Sequence, residues 1–398
     1  MIGNFTFQAP SNILFEPGAS RRINELVAAY GARRVMLVTD RGVRGAGLTK
    51  CAEESLAAAG IKLNVFDEVV ADPPSQVVEA AVAACQAGDI ELVLSIGGGS
   101  ALDTAKLVAY LAKTPDRLDD IYGVGLAKGK RLPLLLVPTT AGTGSEVTPI
   151  AIVTTPTTEK KGVVSPVLIP DWAILDPELT VGLPAHVTAA TGIDAMVHAI
   201  EAYTSKGKKN PMTDQLARQA LALLSANVRR VCENGKDIDA RSEMLLGSML
   251  AGMAFANAPV AAVHALAYPI GAIFHVPHGL SNALVLRHVL EFNLGAAEPL
   301  YAELAEIVRP ASRGTSQAAR ARAFIDEMTS IGRDCKVPAS LADVGIGRDD
   351  LKKLAEDAMK QTRLLVNNPR ELSLDDAYAI YSAAFGDGSN RFVQASHG

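Results

Sequence analysis

Short apolar runs alternate with helix-like segments along the chain as far as about residue 180. Four runs are rich in branched apolar residues: RRVMLVTD (33–40), IKLNVFDEV (61–69), ELVLSIGGGS (91–100) and RLPLLLVPTTAGTGSE (131–146). Segments such as LTKCAEESLAAAG (48–60) lie between them. Strands separated by helices of this length indicate βαβ units, and strands buried on both faces of a parallel sheet are almost wholly apolar. The pattern therefore predicts an α/β region with a parallel, Rossmann-like sheet.

The second half of the chain has a different pattern. PMTDQLARQALALLSANVRRVCE (211–233) and SEMLLGSMLAGMAFANAPVAAVHALAYPIG (242–271) are long, rich in alanine, leucine and methionine, and typical of helices. The change falls near Pro184, and a length of 398 residues agrees with two domains. We expect an α/β domain over residues 1–183 and an all-helical domain over residues 184–398.

Composition and charge narrow the class of protein. Hydrophobic residues make up 48% and charged residues 20%, which is ordinary for a globular protein, and the formal net charge of −5 favours neither nucleic acid nor a membrane surface as a partner. We expect no membrane span and no signal peptide, because no long uninterrupted apolar run is present and the first residues lack a basic region. Cys51, Cys85, Cys232 and Cys335 form no CxxC pair, which favours a reducing cytoplasm over disulfides.

Three glycines follow the third apolar run directly. Gly97, Gly98 and Gly99 precede a helix that we expect to begin at Ser100. Glycine allows close approach of a ligand to the backbone, and a helix N-terminus offers free N–H groups and the positive end of its dipole. This combination suits a pyrophosphate at the carboxyl end of a strand. Ser100 can instead be an N-cap, with Asp103 completing a capping box, and both interpretations can hold together.

A second loop after a predicted strand is rich in hydroxyl groups. VPTTAGTGSEVT (137–148) contains Thr139, Thr140, Thr143 and Ser145, which can donate to phosphate or ribose oxygens. A polar turn is the alternative. Two such loops after neighbouring strands favour the binding of phosphate or ribose over a simple polar turn.

Asp40 ends the first apolar run. An acid at this position can accept hydrogen bonds from an adenosine ribose and repel a 2′-phosphate, which favours NAD over NADP. The alternative is an acid that only begins a helix, and the nearby Arg41 and Arg44 weaken the preference for NAD. The GxGxxG motif is absent, so we expect a dinucleotide site that differs from the usual Rossmann one.

Asp194 and His198 lie four residues apart in GIDAMVHAIEAY (192–203). On a helix these side chains project from the same face. They can form half of a metal site or simply a hydrogen-bonded pair.

Four of the seven histidines, His264, His275, His278 and His288, fall within 25 positions. A histidine in a helix is often only a core residue. Three imidazoles and one carboxylate, however, can hold a divalent metal and leave a position open for a substrate oxygen. These donors suit Fe²⁺ or Zn²⁺ and do not distinguish between them.

These motifs resemble those of the iron-containing (group III) alcohol dehydrogenase family, and the resemblance runs nearly end to end. It is carried by GIDAMVHAIEAY, HALAYPIG, HVPHGLSNA, the GGGS and PTTAGTGSE loops, IPDWAILDPELTVGLP (169–184) and NNPRELSLDDAYAIY (367–381). The family implies a dehydroquinate synthase-like fold, with an N-terminal dinucleotide-binding domain, a C-terminal helical domain and an active site in the cleft between them.

The resemblance also implies roles for individual residues. By motif, the metal ligands are Asp194, His198, His264 and His278. The predicted cofactor-binding residues are Asp40, Gly97, Gly98, Gly99, Ser100, Asp103, Thr139, Thr140, Thr143, Ser145 and Lys160. Asp103 and Ser145 are included because of the two loop sequences and not because of the resemblance. The family has a lysine near the nicotinamide ribose, and this falls at Lys160 or Lys161.

One position departs from many family members. Four residues after the third ligand, where those members have a histidine near the nicotinamide, this chain has Tyr268. A tyrosine there is found in a subgroup that resembles hydroxyacid–oxoacid transhydrogenases. Tyr268 either relays a proton through its hydroxyl or only packs, and His275 is either another relay or a surface residue.

The expected reaction is reversible hydride transfer between a primary or secondary alcohol and NAD⁺, with iron, or alternatively zinc, as a Lewis acid. The alternatives are a transhydrogenase with bound nicotinamide, a lyase of the dehydroquinate synthase type and a non-catalytic nucleotide-binding module. Ile150, Phe255 and Leu364 fall where the family lines its substrate pocket, and their apolar character suggests an unbranched or medium-sized alcohol; they can equally be core. The family also implies a homodimer or larger assembly.

Overall fold

The computed structural model describes residues 4–157 and 159–386. The chain divides into two compact units. The first is Gln8–Gly182, and the second comprises the chain from Leu183 onward together with the short stretch before Gln8. We call them the α/β unit and the helical unit.

The α/β unit contains two sheets and five α-helices within the described residues. Its strands are β1 (Asn12–Phe15), β2 (Arg34–Val38), β3 (Lys62–Phe66), β4 (Leu92–Gly97), β5 (Gly123–Val124), β6 (Leu134–Pro138), β7 (Ile150–Thr154), β8 (Lys160–Val164) and β9 (Trp172–Leu175). Its helices are α1 (Ile23–Ala28), α2 (Arg41–Gly45), α3 (Lys50–Ala58), α4 (Ser75–Ala87) and α5 (Gly99–Leu111). The predicted α/β fold is confirmed, and the four apolar runs form β2, β3, β4 and β6.

The larger sheet is parallel, with the strand order β1-β9-β6-β4-β2-β3. The chain passes from β2 outward to β3 and then returns to the other side of β2 as β4. The order thus reverses between β2 and β4, and open parallel sheets bind ligands beyond the carboxyl ends of their strands at such a point. Asp40 follows β2 and Gly97 ends β4, so both lie at this point.

Both faces of this sheet are covered. Val35 and Leu37 belong to one buried apolar cluster, whereas Met36 and Val38 belong to another. Successive side chains of a strand point to opposite faces, so β2 contributes to two cores. This explains why its sequence is an unbroken apolar run.

The helical unit has nine α-helices within the described residues. They are α6 (Ala185–Thr204), α7 (Pro211–Glu233), α8 (Ile238–Asn257), α9 (Ala262–Phe274), α10 (His278–Val308), α11 (Gln317–Asp334), α12 (Leu351–Ala358), α13 (Thr362–Leu365) and α14 (Leu374–Phe385). Over the described ranges no single helix is long and apolar enough to cross a membrane; α8 and α9, bent by 106° relative to each other, pass that test only as a pair, by length and composition.

The segment 242–271, which the sequence pattern presents as one long helical stretch, is broken between α8 and α9. Ala258 leaves the helical conformation with φ −134° and ψ 98°, directly before Pro259. Proline disfavours the helical conformation of the residue before it. The break gives α9 a new N-terminus close to His264.

Gly279 allows α10 to begin in close contact with α6. A Cβ at Gly279 would lie 2.4 Å from the carbonyl oxygen of Ala190 and 3.2 Å from Cβ of Asp194. The first of these contacts is with backbone, which cannot move aside alone. The absence of a side chain at Gly279 therefore keeps His278 beside Asp194.

A buried network ties α5 to the loop that follows β6. The Nζ atom of Lys106, fully buried, donates to Ser145 Oγ at 2.8 Å, to Thr148 Oγ1 at 3.1 Å and to the carbonyl oxygen of Ile150 at 2.7 Å. It also lies 3.4 Å from the carboxylate of Asp103. Burial lowers the pKa of Lys106, while Asp103 acts against that shift.

Glu146 is buried beside this network. Burial raises the pKa of Glu146 to about 7, against the opposing attraction of Lys106. Within the described ranges, its Oε1 atom has no hydrogen-bond partner. A charged Glu146 is therefore unfavourable in the folded state.

Replacing Gly279 with alanine is expected to destabilise the helical unit. The new methyl group would clash with the backbone of α6, so we expect the free energy of unfolding to fall by about 1–3 kcal/mol. Gly295, also in α10, has open space where a Cβ would lie: apart from its chain neighbours and the backbone of its own helix, no atom of the described residues lies within 4 Å of that position. Gly295→Ala is therefore expected to be neutral or stabilising by up to about 1 kcal/mol. Urea unfolding of both variants tests this, and equal midpoints would contradict it.

Replacing Glu146 with glutamine is expected to flatten the dependence of stability on pH. The pKa of Glu146 rises from 4.5 to about 7 on folding, so its contribution to stability is complete below pH 4.5 and is lost as the pH rises through 7. Glu146→Gln should therefore raise the free energy of unfolding at pH 8 by about 1–3 kcal/mol and give no gain at pH 5. Urea midpoints at the two pH values provide the measurement.

The matched control for this prediction is Glu79→Gln, which removes an exposed glutamate from α4 in the same unit. We expect the control to keep the pH dependence of the wild type. If Glu146→Gln also keeps it, burial of Glu146 is not its source.

Candidate metal and dinucleotide sites

Four potential metal ligands from three helices converge in the helical unit. Asp194 and His198 lie on α6, His264 on α9 and His278 at the start of α10, and one ligand atom from each lies within 4.8 Å of the others. The Nε2 atoms of His264 and His198 are 3.0 Å apart. Asp194 Oδ1 lies 3.8 Å from Nε2 of His264 and 3.6 Å from Nε2 of His278.

These distances fit a divalent transition metal. Ligands at about 2.0–2.1 Å from a tetrahedral ion are about 3.4 Å from each other, and the observed separations bracket that value. The donors are imidazole nitrogens and one carboxylate, which suit iron or zinc. The group can therefore hold such an ion with little movement of its side chains.

Electrostatics keep the carboxylate of this group charged. Burial raises the pKa of Asp194, but the imidazoles of His198, His278 and His264 and a hydrogen bond from Asn282 together hold that pKa below its ordinary value. A metal ligand must be deprotonated, so this environment favours metal binding.

Asn282, which was not predicted from the sequence, is a neighbour of the four potential metal ligands. Its Nδ2 atom donates to Asp194 Oδ1 at 2.5 Å and lies 3.3 Å from Nε2 of both His264 and His278. The signal was present in the sequence, because Asn282 follows His278 by four residues and so lies on the same face of α10.

Glu201 is the second residue that was missed. It is buried on α6, three residues after His198, and its carboxylate accepts a hydrogen bond at 2.7 Å from Nδ1 of His264. It also accepts from the backbone N–H groups of Ala261 and Val263, at 2.9 and 2.6 Å. Its spacing from His198 was the available signal.

Two aromatic side chains lie beside the ligands. The ring of Phe255 stacks on His198, with the ring centroids 4.2 Å apart and the planes at 16°. The half-buried ring of Tyr268 lies with its centroid 5.8 Å from that of His278. Both are therefore near enough to influence what binds at the ligand group.

The other predicted catalytic and pocket residues have different surroundings. His275 is exposed and ends α9 in the left-handed conformation, with φ 56°. Leu364 is buried in α13, and Ile150 begins β7 in the α/β unit. His288, of the same histidine cluster, lies outside the group of four, and burial lowers its pKa to about 4.

In the α/β unit, a cavity of about 700 Å³ opens where the strand order reverses. Asp40, Gly98, Gly99 and Ser100 are among the residues that line it. A Cβ at Gly99 would lie 2.7 Å from Cγ2 of Thr143, so the loop of residues 97–99 (the glycine loop) and the loop of residues 137–148 (the threonine loop) touch there. Glycine is required by this close approach.

The remaining threonines belong to the same arrangement. The N–H of Thr139 donates to the carbonyl of Gly97 at 2.9 Å. The methyl group of Thr140 lies 3.7 Å from the position that a Cβ would occupy at Gly98. The two predicted loops are thus brought together by direct contacts between their residues.

One alternative from the sequence is corrected. Helix α5 begins at Gly99 with Gly98 as its N-cap, so Ser100 is not the N-cap and forms no capping box with Asp103. The Oγ of Ser100 instead accepts from the N–H of Asp72. The helix therefore begins one residue earlier than predicted, at Gly99.

Several polar residues of the predicted cofactor set already have partners within the protein. Asp103 accepts hydrogen bonds from Ser145 Oγ at 2.5 Å and from the N–H of Ile152 at 2.9 Å. The Nζ atom of Lys160 lies 2.7 Å from Asp72 Oδ1, and Lys161 lies over the ring of Tyr122. Roles of Asp103, Ser145 and Lys160 in cofactor binding stay predictions.

Asp40 has the local role that was its alternative interpretation. Its Oδ1 accepts from the N–H of Val43 at 2.9 Å and caps α2. Because it also lines the cavity, capping and ligand binding are compatible. Of the two nearby arginines, Arg44 is paired with Asp67 at 2.8 Å, and Arg41 lines the cavity.

Two family models match the chain. One, described as iron-containing alcohol dehydrogenase, matches residues 10–177, and the other, described as the C-terminal part of the Fe-containing alcohol dehydrogenase family, matches residues 188–385. Long-chain-alcohol dehydrogenase 1 of Geobacillus thermodenitrificans (strain NG80-2) is 40% identical over 384 residues, which cover 94% of this chain and 97% of that protein.

Solved structures are similar over almost the whole chain. That of a 1,3-propanediol oxidoreductase has a TM-score of 0.93 and 35% identity, covering 96% of this chain and 100% of the other. That of sulfoacetaldehyde reductase from Bifidobacterium kashiwanohense in complex with NAD⁺ has a TM-score of 0.87 and 28% identity, covering 97% and 100%. The chain therefore belongs to the iron-containing alcohol dehydrogenase family and is an oxidoreductase that interconverts alcohols with aldehydes or ketones.

Proposed function

We propose that Asp194, His198, His264 and His278 hold a divalent ion in this alcohol dehydrogenase, with Fe²⁺ preferred and Zn²⁺ as the alternative. The observation that carries this proposal is the convergence of four ligand atoms within 4.8 Å of one another. A bound ion supplies Lewis acidity toward the substrate oxygen. The protein contributes the fixed positions of its ligands and the stacking of Phe255 on His198.

NAD is the proposed hydride carrier, with NADP less favoured, and residues 1–183 are the proposed dinucleotide-binding domain. The glycine loop and the first turn of α5 offer N–H groups to the pyrophosphate, and Asp40 lies in the same cavity to accept from the ribose. Thr139, Thr140 and Thr143 follow in the adjoining loop. Residues 184–398 form the proposed metal-binding domain.

The proposed substrate is an unbranched or medium-sized alcohol. Phe255 lies against a ligand and offers an apolar surface, which favours an alkyl chain over a polyol. Leu364 and Ile150 are the other proposed pocket residues.

We also propose a homodimer or larger assembly and a cytoplasmic location, the latter because all four cysteines are free.

Replacing His198 with alanine is expected to remove the metal and the activity together. The remaining three ligands bind an ion weakly, so metal content should fall and alcohol-dependent NAD⁺ reduction should drop by about 100-fold or more. The control is His186→Ala, which removes an exposed histidine from the same helix. For each protein, the metal content and the rate of alcohol-dependent NAD⁺ reduction are measured, first after chelation and then after reconstitution with Fe²⁺ or Zn²⁺. Full activity of metal-depleted wild type would reject the proposal.

Replacing Tyr268 with phenylalanine tests a proton relay through its hydroxyl group. The ring lies beside His278, so we expect kcat to fall by about 100-fold with little change in KM, because the substitution keeps the ring and removes only the proton carrier. His275→Ala is the comparison, since His275 is exposed at the end of α9 and is expected to have a small effect. The reverse result would assign the relay to His275.

The presence of Tyr268 also keeps a transhydrogenase as the second candidate function. Such an enzyme would exchange hydride between a hydroxy acid and an oxo acid while its nicotinamide stays bound. Turnover of these two substrates without added cofactor, combined with no NAD⁺ reduction over a panel of alcohols, would favour it over the dehydrogenase.

A further inference from the structure

Glu201 links two of the helices that carry the proposed metal ligands. It is 3% exposed and lies on α6, close to one turn after His198. Its two carboxylate oxygens accept three hydrogen bonds, and all three donors belong to the segment that opens α9: the N–H groups of Ala261 and Val263 and Nδ1 of His264. One side chain therefore contacts both the start of α9 and a ligand on it.

The hydrogen bond to His264 determines which nitrogen of that ring carries the proton. A carboxylate only accepts, so Nδ1 of a neutral His264 must be the protonated nitrogen. The other nitrogen, Nε2, then has a free lone pair. This is the atom that lies 3.0 Å from Nε2 of His198 and 3.8 Å from Oδ1 of Asp194, on the side of the ligand group.

We propose that Glu201 is a positioning residue for the metal: it selects the Nδ1–H tautomer of His264 and orients the ring so that Nε2 is available as a ligand. The inference rests on the ligand set proposed above. Glu201 would not touch the substrate. Hydrogen bonds from a carboxylate to a ligating histidine fix ring orientation and raise its basicity, and their loss weakens metal binding.

A purely structural role for Glu201 is the competing explanation. The N–H groups at the start of α9 need acceptors, and a carboxylate is favourable near a helix N-terminus. If capping is its whole contribution, loss of Glu201 would lower the stability of the helical unit and leave the His264 tautomer and the hold on the metal unchanged.

Asn367 provides a control that separates the two explanations. Its Nδ2 donates to the carbonyl oxygen of Val260 at 3.1 Å, in the same segment before α9. Asn367→Ala should therefore loosen the start of α9 without removing the hydrogen-bond partner of His264. The test compares Glu201→Ala and Asn367→Ala, with Glu201→Gln as a second variant that keeps the side-chain volume in case the alanine variant does not fold.

Two readouts are measured on the full-length protein. The first is the rate at which bound Fe²⁺ or Zn²⁺ passes to an excess of chelator, which we expect Glu201→Ala to raise by about 10–100-fold and Glu201→Gln to raise in the same direction. The second is the pair of imidazole ¹⁵N shifts of His264 in metal-free, ¹⁵N-histidine-labelled protein, assigned with His264→Ala. We expect the Nδ1–H form in wild type and Asn367→Ala, and a mixture of tautomers in the Glu201 variants.

The outcomes separate this inference from the proposed function. If wild type binds metal and the Glu201 variants release it at the rates of wild type and Asn367→Ala, with the tautomer unchanged, Glu201 is only a cap and the inference is overturned. If wild type takes up neither ion, the proposed ligand set fails. The tautomer in metal-free protein then still decides whether Glu201 controls His264.

Discussion

The contact of Gly279 with the backbone of α6 is the constraint on which the helical site depends. A Cβ at Gly279 would lie 2.4 Å from the carbonyl oxygen of Ala190. Only a residue without a side chain therefore lets α10 begin this close to α6. That approach places His278 one residue before the contact and Asp194 one turn after it. A wider separation of the two helices would leave a carboxylate and an imidazole too far apart to share an ion. The packing of the α10 backbone against α6 thus sets the distance between His278 and Asp194.

The α/β unit also contains a close approach that depends on a glycine. Gly99 lets the glycine loop touch Thr143, and the buried Lys106 holds α5 to the threonine loop from behind through Ser145 and Thr148. These contacts constrain the loop backbone, and binding of the proposed dinucleotide there would then cost less conformational entropy. The hydrogen bond that Ser145 Oγ donates to the carboxylate of Asp103 is part of this support.

The sequence predicted those features that follow from local periodicity. The runs that form β2, β3, β4 and β6 are apolar because both faces of the sheet are covered, and the spacing of Asp194 and His198 follows directly from the pitch of a helix. Strands β1 and β9 were missed because four residues are too short to show a period. The break before α9 and the approach at Gly279 depend on tertiary packing, which no local pattern records. Glu201 and Asn282 were visible by spacing, but glutamate and asparagine in a helix are usually solvated, so spacing alone did not single them out.

The buried carboxylates of the two units show how the same group acquires opposite properties. Three imidazoles and an amide face Asp194, and these favour its charged form over the effect of burial. Three donors converge on Glu201, so its oxygens are satisfied without solvent. Glu146 is equally buried, but one of its oxygens lacks a partner within the described residues, and Lys106 gives its own hydrogen bonds to other groups. Burial then dominates and the pKa of Glu146 rises to about 7. The groups that face each carboxylate, and not only its depth in the protein, therefore distinguish the lowered pKa of Asp194 from the raised pKa of Glu146.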